Sequence, residues 1–378
     1  QGAVRAKVQI CECFDQNSCL AHFLFSSLNQ EKNGVKFSFS EVNMEKTACF
    51  DPTWRDDIFD ERAFDIPLML PAQTEPNNRI WVKKKLVWGE EIFGNYHEYK
   101  KPRIITAILK KSPKPALYVM RDSDGREVEQ DHPVYDIIFP PKAWMSDNAQ
   151  ELCSMYIAAK EARGDILMGG LGLGIYPQMA FALQRPVKSI TIIENNPDVI
   201  EIITGSWLSN LDREIREKIE ILESSYEEYT QTTTHTFDTI LLDLWEDSDP
   251  RYLPHMNYLV NLSKPLCRPG GRIRCWAYAI TVDAFIRSIN IFESEDIDIE
   301  KIPQAIDPAL KTYAQWRSKQ KSESLTMKKC EKKARQVALT VCATLQEYDR
   351  NKCFSPFAIT RSEAYMKLNI FNAAKRQS

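Results

Sequence analysis

The sequence contains no apolar run of the roughly 18 residues that a helix needs to cross a bilayer. Its 49 basic and 52 acidic residues leave a formal net charge of only −3, which argues against nucleic acid or an anionic membrane as the main partner. The ten cysteines are scattered through 378 residues, without the regular spacing of a disulfide framework. We therefore expect free thiols in a reducing compartment, a cytoplasmic location and no membrane segment.

The residue pattern divides the chain into four parts. Residues 1–100 form an N-terminal region that shows no clear pattern of helices or strands, apart from short alternating segments such as that at 79–88. Residues 101–145 alternate like strands around an Asp-Gly turn and are predicted to form a small β-rich module. Residues 146–279 alternate apolar runs with helical patterns, and residues 280–378 have helical spacing alone.

Five short apolar runs between the β-rich module and the helical region predict β strands, each separated from the next by a helical pattern. They read DILMGG, SITIIE, KIEILES, DTILLDLW and RIRCWAYA. Such alternation is typical of a parallel sheet covered on both faces. We therefore predict an α/β fold built on a Rossmann-like doubly wound parallel sheet. Asp147 or Asn148 is expected to cap the helix ahead of the first strand, and Gly164 to end that helix.

A glycine-rich bend follows the first of these strands and carries the strongest functional signal. Gly170, Gly172 and Gly174 alternate there with leucines, directly before a helical pattern. Such a bend lets backbone N–H groups approach a ligand closely. Glu194, twenty residues after Gly174, ends the next strand, where a carboxylate can accept hydrogen bonds from both hydroxyls of a ribose. Together these features indicate a nucleotide site; the alternative is a structural turn beside a surface carboxylate.

The spacing of the glycines distinguishes between kinds of nucleotide site. Ile175 occupies the position where a dinucleotide-binding loop has its last glycine, and the Gly-Lys-Ser/Thr sequence of a phosphate-binding loop is absent. The pattern Gly170-x-Gly172-x-Gly174 instead resembles motif I of the class I S-adenosylmethionine-dependent methyltransferases. The resemblance covers the part of the chain in which strands alternate with helices.

The resemblance implies S-adenosylmethionine, or its decarboxylated form, as the cofactor, and it implies no metal. It places Glu194 and the adjoining Asn195 at the ribose. It places Glu223 and Ser224, after the third strand, where this superfamily contacts the adenine. Asp243, at the end of the fourth strand, then lies beside the reactive sulfonium.

Within this superfamily the chain is most similar to the spermidine synthases and their relatives. The β-rich module, the helix before the first strand and the segment DLWEDSDP (243–250) carry that likeness. The chain differs from that branch at Ser224, where an aspartate would bind the adenine amino group. Asp243, Glu246 and Asp247 are the candidate catalytic carboxylates, because they could accept a proton from an attacking amine or hold a cationic amine.

Three functions follow from the resemblance, and the sequence leaves them open. The first is methyl transfer from S-adenosylmethionine to a small-molecule or peptidyl acceptor. The second is transfer of an aminopropyl group from decarboxylated S-adenosylmethionine to an amine. The third is a non-catalytic binding or assembly module, a role that the helical C-terminal region would suit. A homodimer is one alternative for the assembly.

Several other motifs have a structural explanation beside the functional one. Three aromatic side chains either line the pocket or belong to the core: Trp245, Tyr252 and Tyr278. Four residues offer zinc ligands but lack a standard spacing, so we predict no metal site: Cys11, Cys13, Cys19 and His22. Two basic runs are predicted to be a lysine-protected edge strand and a solvated helix face: Lys83–Lys85 and Lys328–Arg335.

Overall fold

The computed structural model describes residues 49–76, 79–111, 142–246, 248–294, 308–320 and 325–344. Within these ranges the chain forms a three-stranded antiparallel sheet and a five-stranded parallel sheet. The predicted turn at 122–125, the four zinc-ligand candidates and Asp247 lie outside the described residues. None of the helices in the described part of the chain combines the length and the apolar character required to span a bilayer.

The three-stranded sheet is built from β1 (Ile80–Ile92), β2 (Asn95–Lys110) and β3 (Lys142–Ser146), in that order. Phe93 and Gly94 join the first two strands with φ angles of 48° and 82°, the left-handed backbone that a two-residue hairpin turn requires. The predicted strand at 79–88 is therefore real and lies at the edge of this sheet, as its lysines indicate. The expected boundary after residue 100 falls inside β2.

The five-stranded sheet follows the predicted alternation. Its strands are β4 (Gly164–Gly169), β5 (Val187–Glu194), β6 (Ile219–Glu223), β7 (Phe237–Leu242) and β8 (Cys267–Cys275). They are parallel and lie in the order β6-β5-β4-β7-β8. The order reverses beside β4, and in such sheets ligands bind at the carboxyl ends of the strands around this point. The predicted doubly wound parallel sheet is confirmed.

Helices connect the strands and cover both faces of the sheet. They are α1 (Ala149–Ala159), α2 (Ile175–Ala182), α3 (Pro197–Ser206), α4 (Arg213–Arg216), α5 (Tyr226–Thr232) and α6 (Leu253–Ser263). The buried side chains of the protein form two apolar clusters. Successive residues of β4 pack in different clusters: Leu167 in one, and Ile166 and Met168 in the other. Because side chains alternate along a strand, the two clusters lie on opposite faces of the sheet.

The helical C-terminal region packs against one of these faces. It comprises α7 (Tyr278–Ser294), α8 (Pro308–Arg317) and α9 (Met327–Thr340). Cys330, Ala334 and Val337 of α9 are buried in the same cluster as Leu167. Lys328, Lys329 and Lys332 of that helix are exposed, which confirms the predicted solvated face.

The structure decides between the two predicted caps of α1, and it shows that two other predicted element boundaries are wrong. Asn148, and not Asp147, caps α1, because its side chain accepts a hydrogen bond from the Glu151 N–H at 2.9 Å. That helix ends at Ala159; Gly164 instead begins β4 with a φ of 64°, where a side chain would collide with the Asp238 carboxylate. The fifth strand ends at Cys275 rather than at residue 279, because α7 already begins at residue 278.

A segment ahead of the first sheet, residues 49–70, crosses the molecule beside the carboxyl ends of the parallel strands; we call it the N-terminal strap. It begins at the outer side of β8, where Phe50 forms a parallel bridge with Ile273. It ends at α2, where the Met69 N–H donates to Oε1 of Gln178 at 2.7 Å. The patterns in the sequence did not predict this path.

Candidate functional site

The bend after β4 has the geometry that its glycines predict. Gly170, Gly172 and Gly174 have φ angles of 89°, 54° and 68°, a region that glycine occupies without strain. A Cβ atom on Gly170 would collide with the Asp243 carbonyl oxygen, and one on Gly174 would lie 3.0 Å from the Trp207 ring. Among the described residues, a Cβ atom on Gly172 would meet nothing within 4 Å. Gly172 therefore leaves open space beside the backbone, into which a ligand can fit.

The bend presents hydrogen-bond donors to this space. No side chain in the described part of the protein caps the start of α2, so the N–H groups of Ile175 and Tyr176 are available at the positive end of the helix dipole, while Pro177 has no N–H. Leu171 and Leu173 do not fill the space, because both side chains are buried in the apolar core. The bend is thus a cradle formed by backbone atoms.

Glu194 faces the same cradle from the end of β5. Its side chain is only 7% exposed, with Oε2 accepting from the Leu171 N–H at 3.0 Å and Oε1 from the Asn196 N–H at 2.8 Å. A carboxylate has about four acceptor positions, so two remain for the hydroxyls of a ribose. Backbone donors, open space and a fixed carboxylate therefore fit the nucleoside part of S-adenosylmethionine.

The residues predicted at the adenine lie along the same edge of the sheet. Glu223 ends β6 in register with Glu194 and is exposed. The Ser224 N–H donates to the Glu194 carbonyl oxygen at 3.1 Å. Asn195 is exposed beside Glu194. The structure therefore brings these residues together around one strand end, while their contacts with a ligand remain a prediction.

Asp243 lies on the other side of the cradle. It follows β7, and its N–H donates to the Gly169 carbonyl oxygen at 2.9 Å. Removal from water, followed by the negative charges of Asp56 and Glu194, raises the pKa of Asp243 to about 7. A carboxyl group with such a pKa can exchange a proton at neutral pH.

Two further carboxyl groups, which the sequence patterns did not identify, interact electrostatically with Asp243: the charge of Asp56 raises the pKa of Asp243, and the charge of Asp243 raises that of Glu151. Asp56 belongs to the N-terminal strap, and burial raises its pKa to about 7 although the Ala277 N–H donates to Oδ2 at 2.8 Å. Glu151 lies in the first turn of α1, and burial, with the charges of Asp243 and Asp56, raises its pKa well above the usual range. The run of acidic residues after Trp54 is the only sequence signal near Asp56.

Glu246, the second predicted catalytic carboxylate within the described residues, pairs with a lysine of the three-stranded sheet. Glu246 is exposed and forms an ion pair with Lys110, at the end of β2. Its catalytic role stays a prediction. The three candidate aromatic side chains belong to the core, which confirms their structural explanation: Trp245, Tyr252 and Tyr278.

Comparisons with known proteins give no family model and no curated protein that matches the chain. Solved structures match parts of it. Precorrin 8W decarboxylase from Methanobacterium thermoautotrophicum is 17% identical, over 32% of this chain and 58% of that chain, with a TM-score of 0.24. A SAM-dependent methyltransferase from Bacteroides fragilis, in complex with S-adenosyl-L-homocysteine, is 21% identical, over 32% and 44%, with a TM-score of 0.23. TrmN from Thermus thermophilus is 15% identical, over 40% and 42%, with a TM-score of 0.27.

The chain thus spans 58%, 44% and 42% of the length of these three structures. Matches this distant and partial do not decide the function. The strand order and the geometry of the cradle, in contrast, are observed directly in the structure of this protein.

Proposed function

We propose that the protein is a transferase that uses S-adenosylmethionine and moves its methyl group to a small-molecule or peptidyl acceptor. One observation carries the proposal: the Leu171 N–H, inside the bend, is bonded to the Glu194 carboxylate, while Gly172 leaves open space next to them. Backbone donors and a carboxylate that could accept from the ribose hydroxyls therefore lie in one cradle at the carboxyl edge of a parallel sheet, which supports the proposal.

In this proposal, different residues bind the cofactor and assist the transfer. Glu194 and Asn195 would hold the ribose, and Glu223 and Ser224 the adenine side. When bound, S-adenosylmethionine supplies a sulfonium whose positive charge activates the carbon attached to it. Asp243 lies at the strand end nearest the bend, where it can orient the acceptor and take up its proton.

Aminopropyl transfer is the second candidate, and the charge of the site favours it. Above about pH 7, where Asp56 and Asp243 ionise, the two carboxylates add negative charge near the cradle. This charge repels a carboxylate and attracts an ammonium group. Decarboxylated S-adenosylmethionine lacks the carboxylate that S-adenosylmethionine carries, so a carboxylate-accepting pocket would favour methyl transfer and a cation-accepting pocket aminopropyl transfer.

Isothermal titration calorimetry with both ligands tests the proposal and separates the two reactions. Glu194→Gln should weaken binding of the preferred ligand at least about tenfold, since it removes a charged hydrogen-bond acceptor. Glu201→Gln, a matched change at an exposed glutamate of α3, should leave affinity unchanged. Thermal unfolding of both variants checks that they are folded. If neither ligand binds the wild-type protein, the proposal is wrong.

A second variant distinguishes an enzyme from a binding module. In an enzyme, Asp243→Ala abolishes turnover while ligand binding persists. In a non-catalytic module the wild-type protein binds the ligand but transfers no group to any acceptor tested.

A further inference from the structure

The side chain of Gln178 connects the glycine bend to the N-terminal strap. Gln178 lies near the start of α2 and is only 7% exposed. Its Oε1 accepts from the Met69 N–H at 2.7 Å. Its Nε2 donates to the Gly174 carbonyl oxygen at 3.1 Å and to the Met69 carbonyl oxygen at 3.4 Å. The amide oxygen and both amide hydrogens therefore contact two parts of the chain that are distant in sequence.

The strap ends in an extended segment that packs on the same core as the bend. Alternate residues of this segment are partly buried against the apolar cluster that contains Leu171 and Leu173: Ile66, Leu68 and Leu70. Met69 lies between two of them and is 40% exposed, the alternation of a strand. The Gln178 amide thus pairs with the N–H and the carbonyl group of Met69 as the backbone of a neighbouring strand would.

These hydrogen bonds fix the strap in a way that its apolar contacts do not. Apolar packing is non-directional, so it does not by itself set the position of the strap relative to the bend. A buried amide without partners costs free energy. If the strap moves away, Gln178 loses its bonds to Met69 and keeps only the bond to Gly174, so its side chain is no longer held in one orientation.

The bond to Gly174 reaches the proposed nucleotide site. Gly174 ends the bend with a φ of 68°, and its N–H donates to the Leu171 carbonyl oxygen at 2.9 Å. The Leu171 N–H in turn donates to the Glu194 carboxylate at 3.0 Å. Hydrogen bonds therefore run without a break from the predicted ribose-binding carboxylate, through the bend and Gln178, to the strap.

We infer that Gln178 is a positioning residue that couples docking of the strap to nucleotide binding at the glycine bend. The inference rests on the proposed function, because the nucleotide is the ligand that orders the bend. Such coupling is reciprocal: the ligand stabilises the docked strap by the same factor by which the docked strap strengthens ligand binding. The nucleotide site is therefore complete only when the strap is docked.

Amide hydrogen exchange, measured by mass spectrometry with and without S-adenosylmethionine, tests the coupling; the decarboxylated form replaces it if only that form binds. In the wild type the ligand should slow exchange in residues 66–70 at least about fivefold. Gln178→Leu removes all three bonds and keeps an apolar side chain of similar size. The ligand should then no longer slow exchange in the strap, and calorimetry should show an affinity about tenfold lower. Gln315→Leu, a matched change at an exposed position of α8, should behave as the wild type does.

A matched pair of variants on the strap tests the same link without altering the bend or α2. Met69→Pro removes the N–H that bonds to Gln178, whereas Met69→Ala retains it. Met69→Pro should lose affinity and ligand-dependent slowing of exchange as Gln178→Leu does, and Met69→Ala should keep both. This pair decides the question if Gln178→Leu does not fold.

A merely structural role for Gln178 predicts a different result. Gln178→Leu would then speed exchange in the strap, but the ligand would slow that exchange by the same factor as in the wild type. That result would overturn the inference, as would equal ligand affinity of Met69→Pro and Met69→Ala.

The titrations separate this inference from the proposed function. If the nucleotide binds the wild type and Gln178→Leu equally, the coupling is wrong and the nucleotide site stands. If neither S-adenosylmethionine nor its decarboxylated form binds the wild type, the transferase proposal is wrong. Exchange without ligand then decides whether Gln178 links the two segments: Gln178→Leu should speed exchange both in residues 66–70 and in residues 169–174, and a change confined to one segment would refute the link.

Discussion

Asp56→Asn should make the protein more stable at alkaline pH and leave it nearly unchanged at acidic pH. The pKa of Asp56 rises from 3.8 to about 7 on folding, chiefly because the side chain is buried. A carboxyl group with a raised pKa contributes stability that is complete below about pH 4 and is lost as the pH rises through 7. Between pH 5 and pH 8 the loss amounts to about 3 kcal/mol. Asparagine does not titrate and retains an oxygen that accepts from the Ala277 N–H.

Urea unfolding of the wild type and the variant at pH 5 and pH 8, at one ionic strength, measures this difference. The wild-type free energy of unfolding should fall between the two pH values by up to about 3 kcal/mol more than that of the variant. Asp212→Asn, at an exposed position, should follow the wild type. If wild type and Asp56→Asn lose equal stability, or if the variant is the less stable at pH 8, Asp56 is not a buried ionising group.

Three other substitutions test the cradle and the helical region. Gly170→Ala should cost more than about 3 kcal/mol in urea unfolding, because its side chain would collide with the Asp243 carbonyl oxygen at a φ of 89°. Gly172→Ala should cost only about 1 kcal/mol yet weaken nucleotide binding at least about tenfold in calorimetry, since its Cβ enters open space; similar losses of stability in both variants would contradict this. Asn257→Ala should cost about 3 kcal/mol and speed amide exchange in α9, because the buried side chain accepts from the Tyr278 hydroxyl at 2.6 Å and donates to two carbonyl groups at the end of that helix. A cost below about 1 kcal/mol would show that these bonds do not hold α9.

The parallel sheet was predictable because its signal is local and repeated. Each strand contains a short apolar run, and two of the runs are followed by an acidic residue: Glu194 is the last residue of β5, and Asp243 directly follows β7. Periodicity does not locate the ends of elements equally well. Gly164 follows a helical pattern, and glycine is a common helix terminator, but here it begins a strand at a position where Asp238 leaves no room for a side chain.

The nucleotide side of the site was also predictable, because its parts lie close together in sequence. The bend and Glu194 belong to two consecutive strands, and the hydrogen bond between Leu171 and Glu194 follows from their parallel pairing. The electrostatic interactions of Asp243 with Asp56 and Glu151 were not predictable, since these residues are far apart in sequence. The position of Asp56 depends on the path of the N-terminal strap, and no periodic pattern encodes that path.

The charge of Asp56 is not needed to hold the strap in place. The strap is fixed at one end by Phe50, whose ring packs edge-on against Tyr278 at 5.2 Å, and at the other by the bond between Met69 and Gln178. Asparagine would satisfy the Ala277 N–H equally well, and a domain has only about 5–15 kcal/mol of net stability. A buried carboxylate that removes about 3 kcal/mol of it at pH 8 is therefore costly at a position where a neutral acceptor would hold the strap as well.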